Sequence, residues 1–286
     1  MKKLTIVVLN MNGLENLKVL FKSLKEQTFQ DFDVIVSDNG STDGSIEWLR
    51  KNKINHVSNG RNLGFSGGNN IVLRKVRTKY VGVFNDDIRL EPNVLKMLVE
   101  FMENTRDAAA VQPKILSWDG KMVQSTGLIL TYGSFPAERD KWKPFVHEVR
   151  EPEEVLATQG CCSIYRTEVF RKVGFFDEIY NPIYNEDFDV GLSLKKAGYR
   201  SYYHPVPVVY HKGGFTSNKL KHFVRLSFHR NRYKLLKKHG TVRMWLETIA
   251  WTPIVAGFYL LRKPDLAYFQ AMGEFLTGRI NIRKIR

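Results

Sequence analysis

The chain has 286 residues, 43% of them apolar, and 44 Lys and Arg against 29 Asp and Glu give it a net charge of +15. That composition supports one large domain, or a domain with an extension, and excludes a disordered or collagen-like chain. Its two cysteines, adjacent at Cys161 and Cys162, exclude a disulfide framework and a multi-cysteine zinc site and point to a reducing compartment.

In chain order, residues 4–9 (LTIVVL) read as a short buried strand, with a run too brief and too soon polar for a signal peptide. Leu14, Leu17, Leu20, Phe21 and Leu24 form a helical stripe over 14–27. Residues 33–37 (DVIVS) are a second strand. The turn-rich DNGSTDGS at 38–45 leads into a short helix around Ile46, Trp48 and Leu49. Residues 54–58 and 80–85 (YVGVFN) are further strands, and NGRNLGFSGGNN at 59–70 reads as a glycine- and amide-rich loop. Pro92 starts a helix whose apolar face is Val94, Leu95, Leu98 and Phe101. Alternating strands and helices predict a parallel α/β sheet, with ligands at the carboxyl ends of its strands.

Longer loops occupy 117–155. A strand follows at 161–165, then a helix from Thr167 stopped by Gly174, and a helix over 186–197 stopped by Gly198. The prolines of SYYHPVPVVY (201–210) suggest an edge strand. From about residue 219 the pattern is helical and basic. Residues 212–286 hold 16 Lys and Arg against 3 Asp and Glu, a charge of +13, which leaves +2 for residues 1–211.

Several clusters could carry chemistry, each with a plainer alternative. Asn85-Asp86-Asp87 ends a strand; two adjacent carboxylates repel, so they call for a hard divalent cation, or else form a solvated turn. Asp38 ends an inner strand, where a base or ribose would lie, though a simple βα turn also fits. In the 59–70 loop the backbone could approach a ligand, with Arg61 and the amides meeting anionic or hydroxyl groups. Glu186-Asp187-Phe188-Asp189 opens a helix, so capping competes with a general-base role for Asp187. His211 is a structural hydrogen-bonder or a ligand beside a metal–phosphate site. The tail's Arg225, His229, Arg230 and Arg232 form a solvated helix face or meet phosphate groups.

Taken in order, TIVVLNMNG (5–13), VSDNGSTDGS (36–45), NLGFSGGNN (62–70), VFNDD (83–87), VGFFDE (173–178), NEDFDVGLSLKKAGY (185–199) and VYHKGG (209–214) resemble the family 2 inverting glycosyltransferases of the GT-A fold, closest to their rhamnosyltransferase-like branch. The resemblance implies a mixed, mainly parallel, Rossmann-like sheet with flanking helices. It implies a catalytic domain over 1–215, with a nucleotide-binding half to about 115 and an acceptor half beyond, and a basic helical extension over 216–286. It also implies transfer of a sugar from a nucleoside diphosphate sugar to a hydroxyl, with Mn²⁺ or Mg²⁺ as cofactor. By residue, Asn10 and Asn12 would line the nucleotide pocket and Asp38 would contact the base. Asn62, Gly64 and Asn70 would hold the nucleotide sugar. Asp86 would face ribose or metal, Asp87 would bind the cation, His211 would sit near metal or diphosphate, and Asp187 would be the base, with Glu186 beside it at the substrate. Met11 and the pair Tyr184-Asn185 depart from the commoner family residues, which bears on the donor's identity.

Residues 244–261 hold 13 apolar residues in 18 but include Glu247 and Pro253. This predicts a helix lying in a membrane interface, with Trp245 and Trp251 at headgroup level and lysines and arginines flanking it, or else a cover for the catalytic domain. The expected setting is cytoplasmic, peripheral on the inner membrane face, with a glycan or polyprenyl-linked glycan acceptor. A nucleotidyltransferase would need a basic glycine-rich loop that MNGLEN (11–16) lacks. No helix-turn-helix, zinc or RRM pattern supports nucleic-acid binding by the tail.

Overall fold

The computed structural model describes residues 2–146, 151–213, 221–261 and 266–280. The first half alternates as expected: β1 (Leu4–Asn10), α1 (Leu14–Lys25), β2 (Phe32–Asp38), α2 (Ser45–Lys51), β3 (Asn55–Ser58), α3 (Gly64–Leu73) and β4 (Tyr80–Asn85). There follow β5 (Ile88–Leu90), α4 (Val94–Asn104), β6 (Ala108–Ser117), β7 (Val123–Ser125), the hairpin β8 (Leu128–Thr131) and β9 (Phe135–Glu138), then β10 (Glu153–Val155). β11 (Cys162–Arg166), α5 (Thr167–Lys172), α6 (Glu186–Lys196) and β12 (Arg200–His211) complete the sheet layer. The tail is α7 (Lys221–His239), α8 (Val242–Leu261) and α9 (Leu266–Leu276).

The main sheet runs β10-β12-β6-β11-β4-β1-β2-β3, with β5 on β12 and β7 on β6. β4, β1, β2 and β3 are parallel, as are β6 and β12, while β11 joins the two groups antiparallel to both its neighbours. Alternation along β1 places Leu4, Ile6 and Val8 on one face with Leu17, Leu20, Leu95 and Leu98 of α1 and α4. Val7 points to the other face, among Val72, Leu73, Phe170 and Leu194 of α3, α5 and α6. Register then aligns the carboxyl ends: Asn10 pairs with Asp38, and Leu9 with Asn85. His211 pairs with Ile88, the residue after Asp87.

The structure corrects several expectations. NGRNLGFSGGNN is a loop only to Leu63; from Gly64 it is α3. Its glycines serve close packing: a Cβ on Gly68 would lie 2.5 Å from Leu9 Cδ1 and 2.7 Å from Asn39 Oδ1. β6, which the sequence reading passes over, is buried through nine of its ten residues in the interior of the sheet, between β12 and β11. β12 is not an edge strand. Pro205 and Pro207 fall where its register on β6 shifts, between Tyr203 and Val208, and between the stretches paired with β10 and β5.

α7 is not a solvated basic face. Leu235 packs with Leu128, Tyr180 and Phe188, while Leu226, Tyr233 and Leu236 pack with Ala267 and Ala271 of α9. Several of its cations turn inward: Arg232 is fully buried with Nη2 donating to the Gly133 carbonyl at 2.5 Å, and Lys238 bridges Asp177 and Asp189 at 2.7 and 2.9 Å. α8 is long and apolar enough to cross a membrane by length and composition. It rests along one stripe on the turn between β8 and β9 and on α9. Thr248 Oγ1 donates to the Gly133 carbonyl at 3.2 Å, Trp251 stacks on Tyr132 at 4.9 Å, and Trp245 stacks on Phe275 at 5.9 Å. The two tryptophans therefore face protein, and aliphatic residues such as Leu246, Ile249, Ile254, Leu260 and Leu261 face outward. Arg262 and Lys263, which follow α8, lie outside the described residues, as does Gly214 of the VYHKGG motif.

Candidate active site

The ends of β1 and β2 form one hydrogen-bonded unit. Asp38, fully buried, accepts at Oδ1 from the Gly40 and Ser41 N–H groups at 3.0 and 2.9 Å. Its Oδ2 accepts from Asn10 Nδ2 at 2.7 Å and Ser41 Oγ at 2.5 Å. Asn12 accepts the Thr42 N–H at 2.8 Å. The carboxylate of Asp38 is thus saturated by the protein and shapes the turn, with the Arg61 backbone packed against Gly40. Asn62 accepts the Gly64 N–H at 2.8 Å, and a Cβ on Gly64 would lie 2.6 Å from Asn181 Oδ1.

Asp86 and Asp87 diverge. Asp86 packs on the Gly13 backbone, where a Cβ would lie 1.9 Å from Oδ2, and burial together with the Asp87 charge pushes its carboxyl up to about 7. Asp87 turns the other way. Burial also pushes its carboxyl up, but the His211 ring and the Gly213 N–H outweigh that and hold it below the usual carboxylate range. His211 Nε2 stands 3.2 Å from Asp87 Oδ1, off the line of a hydrogen bond, so that buried oxygen has no hydrogen-bond partner among the described residues. The ring's orientation is fixed from behind. Gln124 Nε2 donates to the His211 carbonyl at 2.8 Å, so Gln124 Oε1, 2.7 Å from Nδ1, accepts the Nδ1 proton. Protonated, the ring holds Asp87 low; deprotonated at Nε2, as a metal ligand must be, it presents a lone pair toward the same carboxylate oxygen. Two electron-pair donors aimed at one point fit a divalent cation, with Asp87 and His211 as protein ligands. Among the described residues no group of three His, Cys, Asp or Glu converges, so such an ion would fill its shell from water or substrate oxygens.

Lining the same cleft, α6 begins at Glu186, preceded by Tyr184 and Asn185 with φ of 78° and 72°. Asp187 Oδ1 accepts the Phe188 N–H at 2.9 Å, and the Gly160 N–H approaches Oδ2 at 3.4 Å. Burial dominates and pushes Asp187 up to about 7 despite these donors. Glu186 is also raised, by burial and by the Asp187 charge, and its buried Oε2 has no partner among the described residues. A carboxyl near 7 beside an open cleft can accept a proton at neutral pH.

Asp87, His211, Glu186 and Asp187 line one cleft of about 760 Å³. The structure brings together these four residues, which the sequence reading proposed for one site. That reading missed, as cleft residues, Gln124, Gly160, Cys161, Glu138 and the ring of Phe65, Tyr184, Phe228 and Tyr259, which also line or support the cleft. Of these it singles out only Tyr184, as a departure from the commoner family residues. Asn10, Asn12, Asp38, Arg61, Asn62, Gly64 and Asp86 gather around the β1 and β2 ends instead. Two expectations fail on geometry. Asn70 is buried away from the cleft, its Nδ2 donating to the Phe176 carbonyl at 2.7 Å and its Oδ1 accepting the Phe176 N–H at 3.3 Å. Arg230 is paired to Glu274, with Nε 2.6 Å from Oε2, and does not line the cleft; Arg225 and His229 do.

Residues 5–174 match the pattern of Glycosyl transferase family 2. The chain is 27% identical over 274 residues to the N-acetylglucosaminyl-diphospho-decaprenol L-rhamnosyltransferase of Mycobacterium tuberculosis, covering 87% of this chain and 88% of that protein. Its fold resembles that of GalNAc-T7 solved with UDP, GalNAc and Mn²⁺, with a TM-score of 0.66 and 15% identity over 83% of this chain and 48% of the other. It also resembles the mannosyltransferase PcManGT of Pyrobaculum calidifontis with GDP-Man and Mn²⁺, with a TM-score of 0.60 and 15% identity over 97% of this chain and 75% of the other. With a mixed sheet of the GT-A kind and a pattern match across more than half its length, the chain belongs to glycosyl transferase family 2, the inverting enzymes that transfer a sugar from a nucleotide sugar.

Proposed function

We propose that this glycosyltransferase moves a hexose or deoxyhexose such as rhamnose from a UDP- or dTDP-sugar to a hydroxyl of a lipid-diphosphate-linked glycan, at the inner face of a membrane. The observation that carries the reading is that two groups share one cleft: Asp187 on α6, and Asp87 with His211 beside the ends of β4 and β12.

In this reading Asp187 is the general base. Its Oδ2, approached by the Gly160 N–H, takes the proton of the acceptor hydroxyl as that oxygen attacks the anomeric carbon from the face opposite the leaving diphosphate. In-line attack inverts the anomeric centre. Glu186, whose carboxyl burial and the adjacent charge push up, lies beside Asp187 with its Oε2 facing the sugar. Asp87 and His211 would hold Mn²⁺ or Mg²⁺, which would supply charge neutralisation at the leaving diphosphate in place of the carboxylic acid that protonates leaving groups in glycoside hydrolysis. The cluster of Asn10, Asp38 and Ser41, with Asp86 beside it, forms the floor on which base and ribose lie.

The acceptor class draws on the mycobacterial relative, whose name specifies a diphospho-decaprenol acceptor. The outward aliphatic side of α8 supports a membrane setting, because its near end carries Tyr259, a residue of the cleft wall. A lipid-borne acceptor would then reach Asp187 from the tail side. The test is a screen of UDP and dTDP, and of their sugars, by thermal shift with and without Mn²⁺, followed by transfer to polyprenyl-diphosphate-linked sugars. Mn²⁺-dependent stabilisation by one nucleotide and its sugar is expected; none by any nucleoside diphosphate would sink the proposal.

A further inference from the structure

The backbone between Tyr180 and Glu186 is strained beside the cleft. Tyr184 and Asn185 adopt the left-handed region in succession, with φ of 78° and 72°. For residues with a Cβ this conformation is costly and persists only where the surroundings over-determine it. Asn185 is also the residue that opens α6. Whatever holds this turn therefore aims Glu186 and Asp187.

The restraint comes from the tail. Asn231 of α7, 1% exposed, directs Nδ2 at the carbonyls of Tyr180, Ile183 and Tyr184, at 2.7, 2.9 and 2.9 Å. Two N–H groups serve three acceptors, so one is shared. Lys234 Nζ lies 2.9 Å from Asn231 Oδ1 and also donates to the Ile179 carbonyl at 2.6 Å. Only an oxygen can face that ammonium, so the amide cannot flip. In return, Asn185 Nδ2 donates to the Phe228 carbonyl of α7 at 3.1 Å. No apolar side chain could satisfy three carbonyls converging in a buried site.

We infer that Asn231 is a positioning residue for the transfer reaction: from α7 it clamps the 180–185 loop in the left-handed turn that presents Glu186 and Asp187 to the cleft. The inference rests on the base role proposed for Asp187. It makes α7 part of the catalytic unit rather than of a separable extension.

The test compares the full-length chain with Asn231→Ala, Asn231→Asp and Lys234→Met, the last keeping the stem while removing the orienting ammonium. Amide exchange over residues 180–188 should accelerate by about tenfold or more in the Asn231 variants, as local opening becomes easier. Binding of UDP or dTDP with Mn²⁺ should be unchanged. With whichever UDP- or dTDP-sugar the parent consumes, kcat should fall on the order of 10- to 100-fold at near-constant KM, as expected of a misplaced catalytic group. Lys234→Met should give the same pattern at smaller size, and it carries the test if the Asn231 variants do not fold. Parental kcat in a folded variant with a loosened loop overturns the inference, as does equal loss of kcat and nucleotide binding. If the parent consumes no donor, the proposed function fails separately, and unchanged exchange over 180–188 then overturns the clamp by itself.

Discussion

Gln124 and His211 are joined by a reciprocal pair of hydrogen bonds, the amide nitrogen to the His211 carbonyl at 2.8 Å and the ring Nδ1 to the amide oxygen at 2.7 Å. The two residues are 87 positions apart, on β7 and β12. The pairing fixes both the ring plane and the tautomer, and so directs Nε2 at the space beside Asp87. Partners of this kind, behind a metal-binding histidine, typically change metal affinity by about 10–100-fold when removed. Gln124→Leu should therefore weaken the Mn²⁺ dependence of nucleotide binding by that order while leaving metal-free binding alone. Titration calorimetry with UDP and dTDP at several Mn²⁺ concentrations reads this directly. Asp87→Ala should abolish the same Mn²⁺-dependent part.

The carboxyl of Asp187, pushed up to about 7 by burial, sets a pH dependence. A base must be ionised, so kcat/KM should rise with pH and level off above about 7; one unit below, it should be about tenfold lower per unit of pH if a single proton is involved. Asp187→Asn should remove that limb together with transfer, and nucleotide affinity should survive. The stability effect runs the opposite way. The folded pKa lies above the unfolded value, so the native state binds the extra proton, and stability from this group declines as pH rises from about 4 through about 7. Asp187→Asn should accordingly melt higher than the parent above pH 7. A lower melting temperature there would make Asp187 a structural carboxylate.

Much of the catalytic half is legible in the sequence because its signals are local. Strand ends, adjacent carboxylates and helix starts occupy consecutive residues, so Asp87, Glu186, Asp187 and His211 could be named before any coordinates. What stayed hidden depends on contacts distant in sequence. Gln124 and Gly160 carry no pattern of their own. β6 begins with three alanines and contains Pro113, which weakens its strand signal although it lies in the interior of the sheet. The tail misled for a related reason: composition counts charges but does not say which way they point. Arg230, Arg232 and Lys238 all bond within the molecule, so less of the +13 is available to an anionic surface than the sum implies.

Arg230 gives a direct check on that point. Its guanidinium meets Glu274 of α9 with 36% of the side chain exposed. A partly solvated pair of this kind contributes up to about 1 kcal/mol. Arg230→Ala should lower the melting temperature slightly, and nucleotide diphosphate affinity should not change. A large loss of affinity would return Arg230 to the phosphate-binding role that the sequence suggests.

Gly68 tests why α3 carries glycines. A Cβ there would meet Leu9 Cδ1 at 2.5 Å and the Asn39 amide at 2.7–2.9 Å, both tightly packed against the ends of β1 and β2. Leu9 can turn slightly, but Asn39 is held by Asn59 at 2.9 Å and by the Gly64 carbonyl at 3.1 Å. Overpacking of this kind typically costs about 1–3 kcal/mol. Gly68→Ala should therefore destabilise by that order in urea unfolding and weaken nucleotide binding, whereas Gly273→Ala, with open space around its Cβ, should do neither.

α8 separates its two sides cleanly enough to test the membrane reading. Ile249 and Ile254 are 67% and 59% exposed, whereas Trp251 between them stacks on Tyr132. If the outward side enters the headgroup region, Ile249→Glu with Ile254→Glu should reduce sedimentation with anionic vesicles strongly and leave the melting temperature nearly unchanged, since neither residue is packed. Trp251→Ala should do the reverse, lowering the melting temperature through a lost aromatic contact while vesicle binding persists. Salt resolves the remaining ambiguity. Apolar insertion survives an increase in ionic strength that screens attraction between charges, so binding that vanishes at high salt in the parent would assign the contact to the tail's lysines and arginines and not to α8.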